Sequence, residues 1–289
     1  MNRIEEGYCC VINPFNTGQV SCVSLKPDDV DIIVFWTKDA VPMIEHTDTL
    51  DRKGFSYYFQ YTVNGYPPEL EPNLPSLDSS IGTFKRLVSK IGPEKVIWRY
   101  DPILVSDLTP VEYHIKQFYK IADGLRGNTG RVVVSIVDGY RAAKGRLKRA
   151  DIGYDPDLTG RHGFADMMTI IAQIAADAGL EIYSCAEVID LQPFGIQPGK
   201  CIDDEYIRSV FGIDVTAKKD KTQRAECGCV TSKDIGQYDT CLHGCQYCYA
   251  TRSATLSVSN AAQHFPDSPS LIGRHICQPD DKSGQQTLF

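Results

Sequence analysis

The sequence predicts an α/β protein built on a parallel sheet, and three observations carry that prediction. Five short runs rich in apolar, β-branched and aromatic residues recur between residues 30 and 183, each separated from the next by a helix or a helix-length segment. Alternation of that kind implies parallel pairing through right-handed crossovers. The first run, Val30 to Trp36, is an apolar stretch of strand length, the mark of a strand covered on both faces. A chain of 289 residues, 42% hydrophobic, is long enough to bury a large core, as one barrel or as two smaller domains.

In chain order, helix-forming residues follow the first strand from Val41 to Arg52, and Tyr57 to Val63 is the second strand. Pro67, Pro68, Pro72 and Pro75 make the next stretch an extended loop. A helix runs to Ile91, with Asp78 or Ser79 as its N-cap and Gly92-Pro93 as its stop. Val96 to Tyr100 is the third strand. Thr109-Pro110 opens a helix in which Val111, Ile115, Phe118, Ile121 and Leu125 follow a 3.6-residue period up to Gly127-Asn128. Arg131 to Val137 is the fourth strand, Phe164 to Ala178 a helix closed by Gly179, and Leu180 to Tyr183 the fifth strand. A doubly wound sheet fits this pattern nearly as well as a barrel does.

Composition narrows the function classes. A net charge of -7 argues against a surface that coats nucleic acid generally, though not against a local basic groove. No run reaches the roughly 18 apolar residues of a membrane helix, and Met-Asn-Arg-Ile-Glu-Glu-Gly lacks the apolar centre of a secretory signal, so the expected location is cytoplasmic, with no membrane partner. In a reducing compartment clustered cysteines are metal ligands more often than disulfides. Seven of the eleven cysteines lie between Cys185 and Cys248.

The chemistry is concentrated in Cys241-Leu-His-Gly-Cys245-Gln-Tyr-Cys248-Tyr-Ala. Three thiols at C-x3-C-x2-C spacing wrap one metal centre. Structural zinc and an ordinary iron–sulfur cubane both close with four protein ligands, so three thiolates leave one position open to a substrate. Tyr247 and Tyr249 flank the last cysteine and supply an apolar wall; His243 is either a spacer or a contact to the cluster. Cys185, Cys201, Cys227 and Cys229 make a further set of four, enough to close a second iron–sulfur cluster or a zinc site, and equally readable as scattered buried thiols.

With an aromatic residue directly before its third cysteine, the triplet resembles the cluster loop of radical S-adenosylmethionine (SAM) enzymes. Along nearly its whole length the chain resembles the bacterial family called domain of unknown function 1848, through Asn13-Pro-Phe-Asn16, Phe35-Trp-Thr-Lys38, Trp98-Arg-Tyr-Asp-Pro102, Cys201-Ile-Asp203, Cys227-Gly-Cys229 and the triplet. The resemblance implies a partial parallel (β/α) barrel with permuted connectivity, because the loop that follows the first strand in radical SAM enzymes lies here about 240 residues into the chain. A sixth strand around Cys229 to Ile235 would feed it and lie beside the first. The division expected is a barrel core over 1–226, a cysteine-rich segment over 227–252 that completes it, and a flexible tail over 253–289.

The resemblance also implies a [4Fe–4S] cluster on Cys241, Cys245 and Cys248 and SAM chelated through its amino and carboxylate groups at the open iron. A flavodoxin or ferredoxin would donate the electron, and a 5′-deoxyadenosyl radical would abstract hydrogen from a substrate. The chain contains no Gly-Gly-Glu, the element that holds the methionine amino group in those enzymes.

In parallel barrels chemistry gathers at the C-terminal ends of strands. Thr37, Lys38, Asp39, Thr62, Asn64, Arg99, Asp101, Ser135, Asp138, Cys185 and Glu187 stand at those ends. Lys38, Arg99 and Glu187 are the catalytic candidates, since a charged side chain in a barrel mouth is expensive unless it meets a ligand or a counter-charge. Asp101, Ser135 and Asp138 are the cofactor-binding candidates. Any of them can instead cap a turn, and Arg99 with Asp101 reads equally as a structural ion pair.

Two basic runs, Arg141 to Arg149 and Lys218 to Arg224, are solvated faces or phosphate contacts. Gln285-Gln-Thr-Leu288-Phe289 resembles the peptide by which bacterial repair proteins dock on the sliding clamp. Asn-Pro, Trp-Thr-Lys and Arg-Tyr-Asp-Pro resemble the spore photoproduct lyase branch. Together these lean toward DNA or a nucleotide lesion as substrate. The rival expectation is a non-catalytic module, its cysteines holding zinc or an electron-relay cluster, recruited to DNA by its tail.

Overall fold

Six parallel strands pair in the order in which they leave the chain, in a computed structural model that describes residues 1–13, 16–154, 158 and 162–277. A short helix α1 (Asn2–Glu6) and an antiparallel hairpin of β1 (Tyr8–Asn13) and β2 (Asn16–Ser24) come first. The sheet then begins with β3 (Ile33–Thr37), followed by α2 (Val41–Ile44), α3 (Thr47–Arg52), β4 (Tyr57–Thr62), α4 (Leu77–Ile91) and β5 (Val96–Ile103). Next come α5 (Val111–Leu125), β6 (Arg131–Ile136), α6 (Arg141–Arg149), α7 (Phe164–Asp177), β7 (Glu181–Cys185) and β8 (Gln197–Gly199). Helices α8 (Asp204–Phe211) and α9 (Ala254–Ala261) close the list.

The two faces of the sheet differ because strand side chains alternate. One face buries Tyr57, Phe59, Trp98, Tyr100, Val132 and Val134 against Phe84 and Leu87 of α4, Phe118 and Ile121 of α5, and Met168 and Ile171 of α7. These three helices are amphipathic, as their periodicity requires. α4 starts at Ser76, whose hydroxyl accepts from Ser79 N at 3.3 Å, two or three residues before the expected cap, and stops at Gly92 with φ 96°. On the other face Tyr58, Ile97 and Val133 pack under Ile207 of α8. Two residues further along the same strands come Gln60, Arg99 and Ser135, so this face turns from apolar to polar toward the C-terminal strand ends.

Three expectations are corrected. The sixth strand is β8, not residues 229–235, where a lone antiparallel bridge between Val230 and Lys219 is the only ladder contact among the described residues. Strands β3 and β8 are the two sheet edges, so the sheet is open, and among the described residues no strand leading to the cysteine triplet lies beside β3. The permuted connectivity is therefore not what places the triplet. The helix-forming stretch 41–52 divides, as expected in character, into α2 and α3. Where a flexible tail is expected, α9 and the following segment fold back on the hairpin: Cys10 N donates to Pro269 O at 2.8 Å, Arg3 Nη2 to Ser270 O at 2.5 Å, and a disulfide joins Cys10 to Cys277. The clamp-like residues Gln285, Leu288 and Phe289 lie outside the described residues. No helix among those described is long and apolar enough to cross a membrane.

Candidate functional site

The polar half of the second sheet face is a floor, and Arg99 is its centre. Its side chain is 5% exposed, which for a guanidinium is costly unless every donor finds a partner. Nε and Nη2 donate to Asp101 Oδ2 at 2.8 and 2.5 Å, and Nη1 donates to Cys201 Sγ at 2.8 Å and Gln60 Oε1 at 3.4 Å. Ser135 Oγ donates to the other Asp101 oxygen. Burial alone would raise the Asp101 carboxyl, but Arg99 and the Ser135 hydroxyl outweigh it and hold it below the usual carboxylate range. Asn64 fixes the backbone here, donating to Asp101 O at 3.0 Å and accepting from Asp101 N at 2.9 Å.

Glu187 and Asp138 stand beside this group. Glu187 Oε1 accepts from Ile136 N at 2.8 Å, and burial, with the charges of Asp138 and Asp101, pushes its carboxyl up to about 7. Asp138 pairs with Arg224 of the second basic run at 2.5 Å. Lys38 sits on the opposite side, 3.0 Å from Glu71 Oε1 and 5.4 Å from the centre of the Tyr247 ring. Thr37 and Asp39 close a turn, Thr37 Oγ1 donating to Asp39 O at 2.7 Å, so the capping role explains them.

The triplet reaches the strand ends as a docked loop, over the long β4–α4 connection. Gln246 N donates to Leu70 O at 3.0 Å and Asn73 Nδ2 to Leu242 O at 2.9 Å. Gly244, at φ 72°, passes so close to this connection that a Cβ would lie 3.2 Å from Pro72 Cγ. Tyr247 is buried: its hydroxyl bonds Glu71 and accepts from Asn64 Nδ2 at 3.3 Å, and its ring packs edge-on against Tyr66 at 5.7 Å. From the other side Arg146 of α6 donates to Gln246 O at 3.1 Å and to the carbonyls of Cys248 and Thr251. Asp239, 2% exposed, ties the base of the loop by accepting from Arg252 N and Nε at 2.5 and 2.7 Å.

Within the loop Cys241 is exposed, Cys248 half-buried and Cys245 buried. Burial pushes the Cys245 thiol up to about 12, against the pull of Lys38. Three soft donors on one loop beside a cation suit a thiolate-held centre. Among the described residues no three His, Cys, Asp or Glu side chains ring a common point at single-ion distances.

At the far end of the floor the other four cysteines come together from three segments. Cys185 ends β7, Cys201 follows β8, and Cys227 and Cys229 lie on the later loop; the last three form one buried cluster with Cys185 packed against it. Cys185 Sγ and Cys201 Sγ are 2.7 Å apart. Cys229 Sγ accepts from Cys201 N at 3.2 Å and Ile202 N at 3.4 Å. A hydrogen bond with Cys229 draws the Cys227 thiol down to about 7.

The structure thus brings Arg99, Asp101, Ser135, Asp138 and Glu187 to one floor, with Lys38 and the triplet on one side and four thiols on the other. Glu71 and Tyr247 as a hydrogen-bonding group are missing from the sequence reading, and Arg146, read there with its run as a solvated or phosphate-contacting cation, is buried against the loop. A buried cation inside a basic run leaves no signal except its apolar neighbours Ala143 and Leu147.

No curated protein and no solved structure matches the chain. One family model does, over residues 1–250 of the 289: the domain of unknown function (DUF1848). On that extent of match, together with the motifs that line the floor and the triplet, the chain belongs to the DUF1848 family.

Proposed function

We propose that the chain is an iron–sulfur enzyme of the radical SAM kind on a partial (β/α) barrel, in which Cys241, Cys245 and Cys248 hold a [4Fe–4S] cluster. The observation that carries this reading is the docking of a three-thiol loop over the polar C-terminal ends of parallel strands, where α/β enzymes keep their chemistry. The sequential strand order, with α4, α5 and α7 packed on one face, favours a partial barrel over a doubly wound sheet. Bound together, the cluster and SAM supply one-electron cleavage of a sulfonium and hydrogen abstraction from a substrate.

The chain's own residues bind, orient and exclude water. Tyr247, Tyr66 and Leu70 wall the loop from solvent. Asp101 has both oxygens engaged by Arg99 and Ser135, so it orients the floor rather than presenting a free carboxylate. Glu187, poised near neutral pH, is the group able to hold or release a proton at Oε2, and Lys38 has donors beyond the one given to Glu71. The exposed cations Arg141, Lys144, Lys148 and Arg149 lie on α6, whose Arg146 grips the loop, and favour an anionic substrate such as nucleic acid or a nucleotide.

The test is anaerobic purification, quantification of iron and sulfide, and addition of a flavodoxin or dithionite with SAM. About four irons per chain and release of 5′-deoxyadenosine, both lost in Cys245→Ala, are expected. A cluster whose spectrum ignores SAM, or zinc in place of iron at the triplet, overturns the reading in favour of a non-catalytic metal-binding module. Sliding-clamp binding that survives removal of Gln285 to Phe289 removes the tail from the argument.

A further inference from the structure

We propose that Cys185, Cys201, Cys227 and Cys229 bind a single tetrahedral zinc ion, which fixes Arg99 over the floor. The four sulfurs are the complete donor set of a closed structural site. They come from three separate chain segments, yet form one buried group, which independent thiols have no reason to do.

The donors aimed at these sulfurs point the same way. Cys229 Sγ takes two backbone N–H groups and Cys201 Sγ takes the Arg99 guanidinium. A neutral thiol is a weak acceptor, whereas a metal-bound thiolate is a strong one, and N–H donors to ligand sulfur are the usual outer support of such sites. Four thiolates around a divalent cation leave two negative charges, and the Arg99 guanidinium, which also pairs with Asp101, lies beside them as a donor.

The spacing of one sulfur pair favours one ion over a cluster. Zinc–sulfur bonds of about 2.3 Å in a tetrahedron put the sulfurs about 3.8 Å apart. The 2.7 Å between Cys185 and Cys201 reaches that value by an opening of about 1 Å, within the reach of χ1 adjustments. A cubane would need the segments to part much further. Gly228 between two ligands lets the backbone bend tightly enough for both to face one centre, and a Cβ there would press Lys200 Cγ at 3.1 Å.

This inference does not rest on the triplet, and its test is made independent of it. The full chain carrying Cys241→Ala, Cys245→Ala and Cys248→Ala is purified and its zinc, iron and sulfide measured. About one zinc per chain is expected. Replacement of zinc by cobalt(II) should give the strong sulfur-to-cobalt charge transfer and tetrahedral d–d bands of four thiolates. Cys227→Ser and Cys229→Ser in the otherwise unaltered chain should each lose that zinc to a chelator the parent resists, which keeps the test alive if the triple variant fails to fold. A folded metal-free chain, a Cys185–Cys201 disulfide found by mass spectrometry, or iron with sulfide in the triple variant overturns the assignment, whatever the triplet itself does.

Discussion

Replacing Arg146 with Met should release the cysteine triplet while leaving the sheet intact. The substitution keeps the aliphatic stem and removes a guanidinium that is the donor to the carbonyls of Gln246, Cys248 and Thr251. Each buried carbonyl that loses a charged donor costs about 1–3 kcal/mol. Discounted for water reaching the half-buried residues, three carbonyls lose about 3 kcal/mol of docking free energy, an increase of about 150-fold in the population of the open loop. Native-state hydrogen exchange reads this directly. The amides of Gln246 and Asp239, bonded to Leu70 O and Ala250 O, should exchange faster by that factor, while Val63 and Val137, bonded to Arg99 O and Ile103 O, should not. Unchanged loop amides, or acceleration of both sets by one common factor, would refute the claim that Arg146 is the loop's clasp.

Glu187→Gln should flatten part of the pH dependence of stability. The folded carboxyl titrates at about 7 against 4.5 when free, so the native state keeps its proton where the unfolded chain has lost it. The contribution of Glu187 to stability is then fully present below pH 4.5, is lost as pH rises through 7 and is absent above, about 3 kcal/mol in all, and the Glu187→Gln variant should lack that decline in urea titrations at several pH values. Gly199→Ala places a Cβ 2.7 Å from Tyr183 Cβ and 3.0 Å from Ser184 O, which forces β8 away from β7. A loss of about 1–3 kcal/mol is expected, together with reduced metal retention by the four-cysteine group, since Cys201 lies two residues on; wild-type stability would show that the strands are not so close.

Five of the six parallel strands and the three long helices were legible because each carries its own periodicity. Within the parallel sheet, what failed was the strand whose existence depends on a neighbour. β8 is three residues, contains Pro198, and sits at a sheet edge, where a proline is tolerated but no pattern can form. The β-branched stretch after Cys229 imitated it. Among the site residues, the floor followed from a simple rule, that polar groups ending apolar strands face the mouth, and Arg99, Asp101 and Ser135 obey it together. The triplet was legible as spacing, but its seat was not: Leu70, Asn73 and Arg146 are separated from it by about 100 residues or more, and nothing local foretells those contacts. The four remaining cysteines were countable but not placeable, for the same reason.

The sequential strand order bears on how the molecule comes into being. Each strand of the sheet pairs with the one made just before it, so the platform can assemble by short-range steps while the chain is still being synthesised. The thiol loop behaves oppositely. Its partners Leu70 and Asn73 are waiting some 170 residues earlier, and it is delivered only when synthesis has passed Cys248. A scaffold that matures first and receives this loop late leaves its three thiols fewer wrong partners than a half-built sheet would offer.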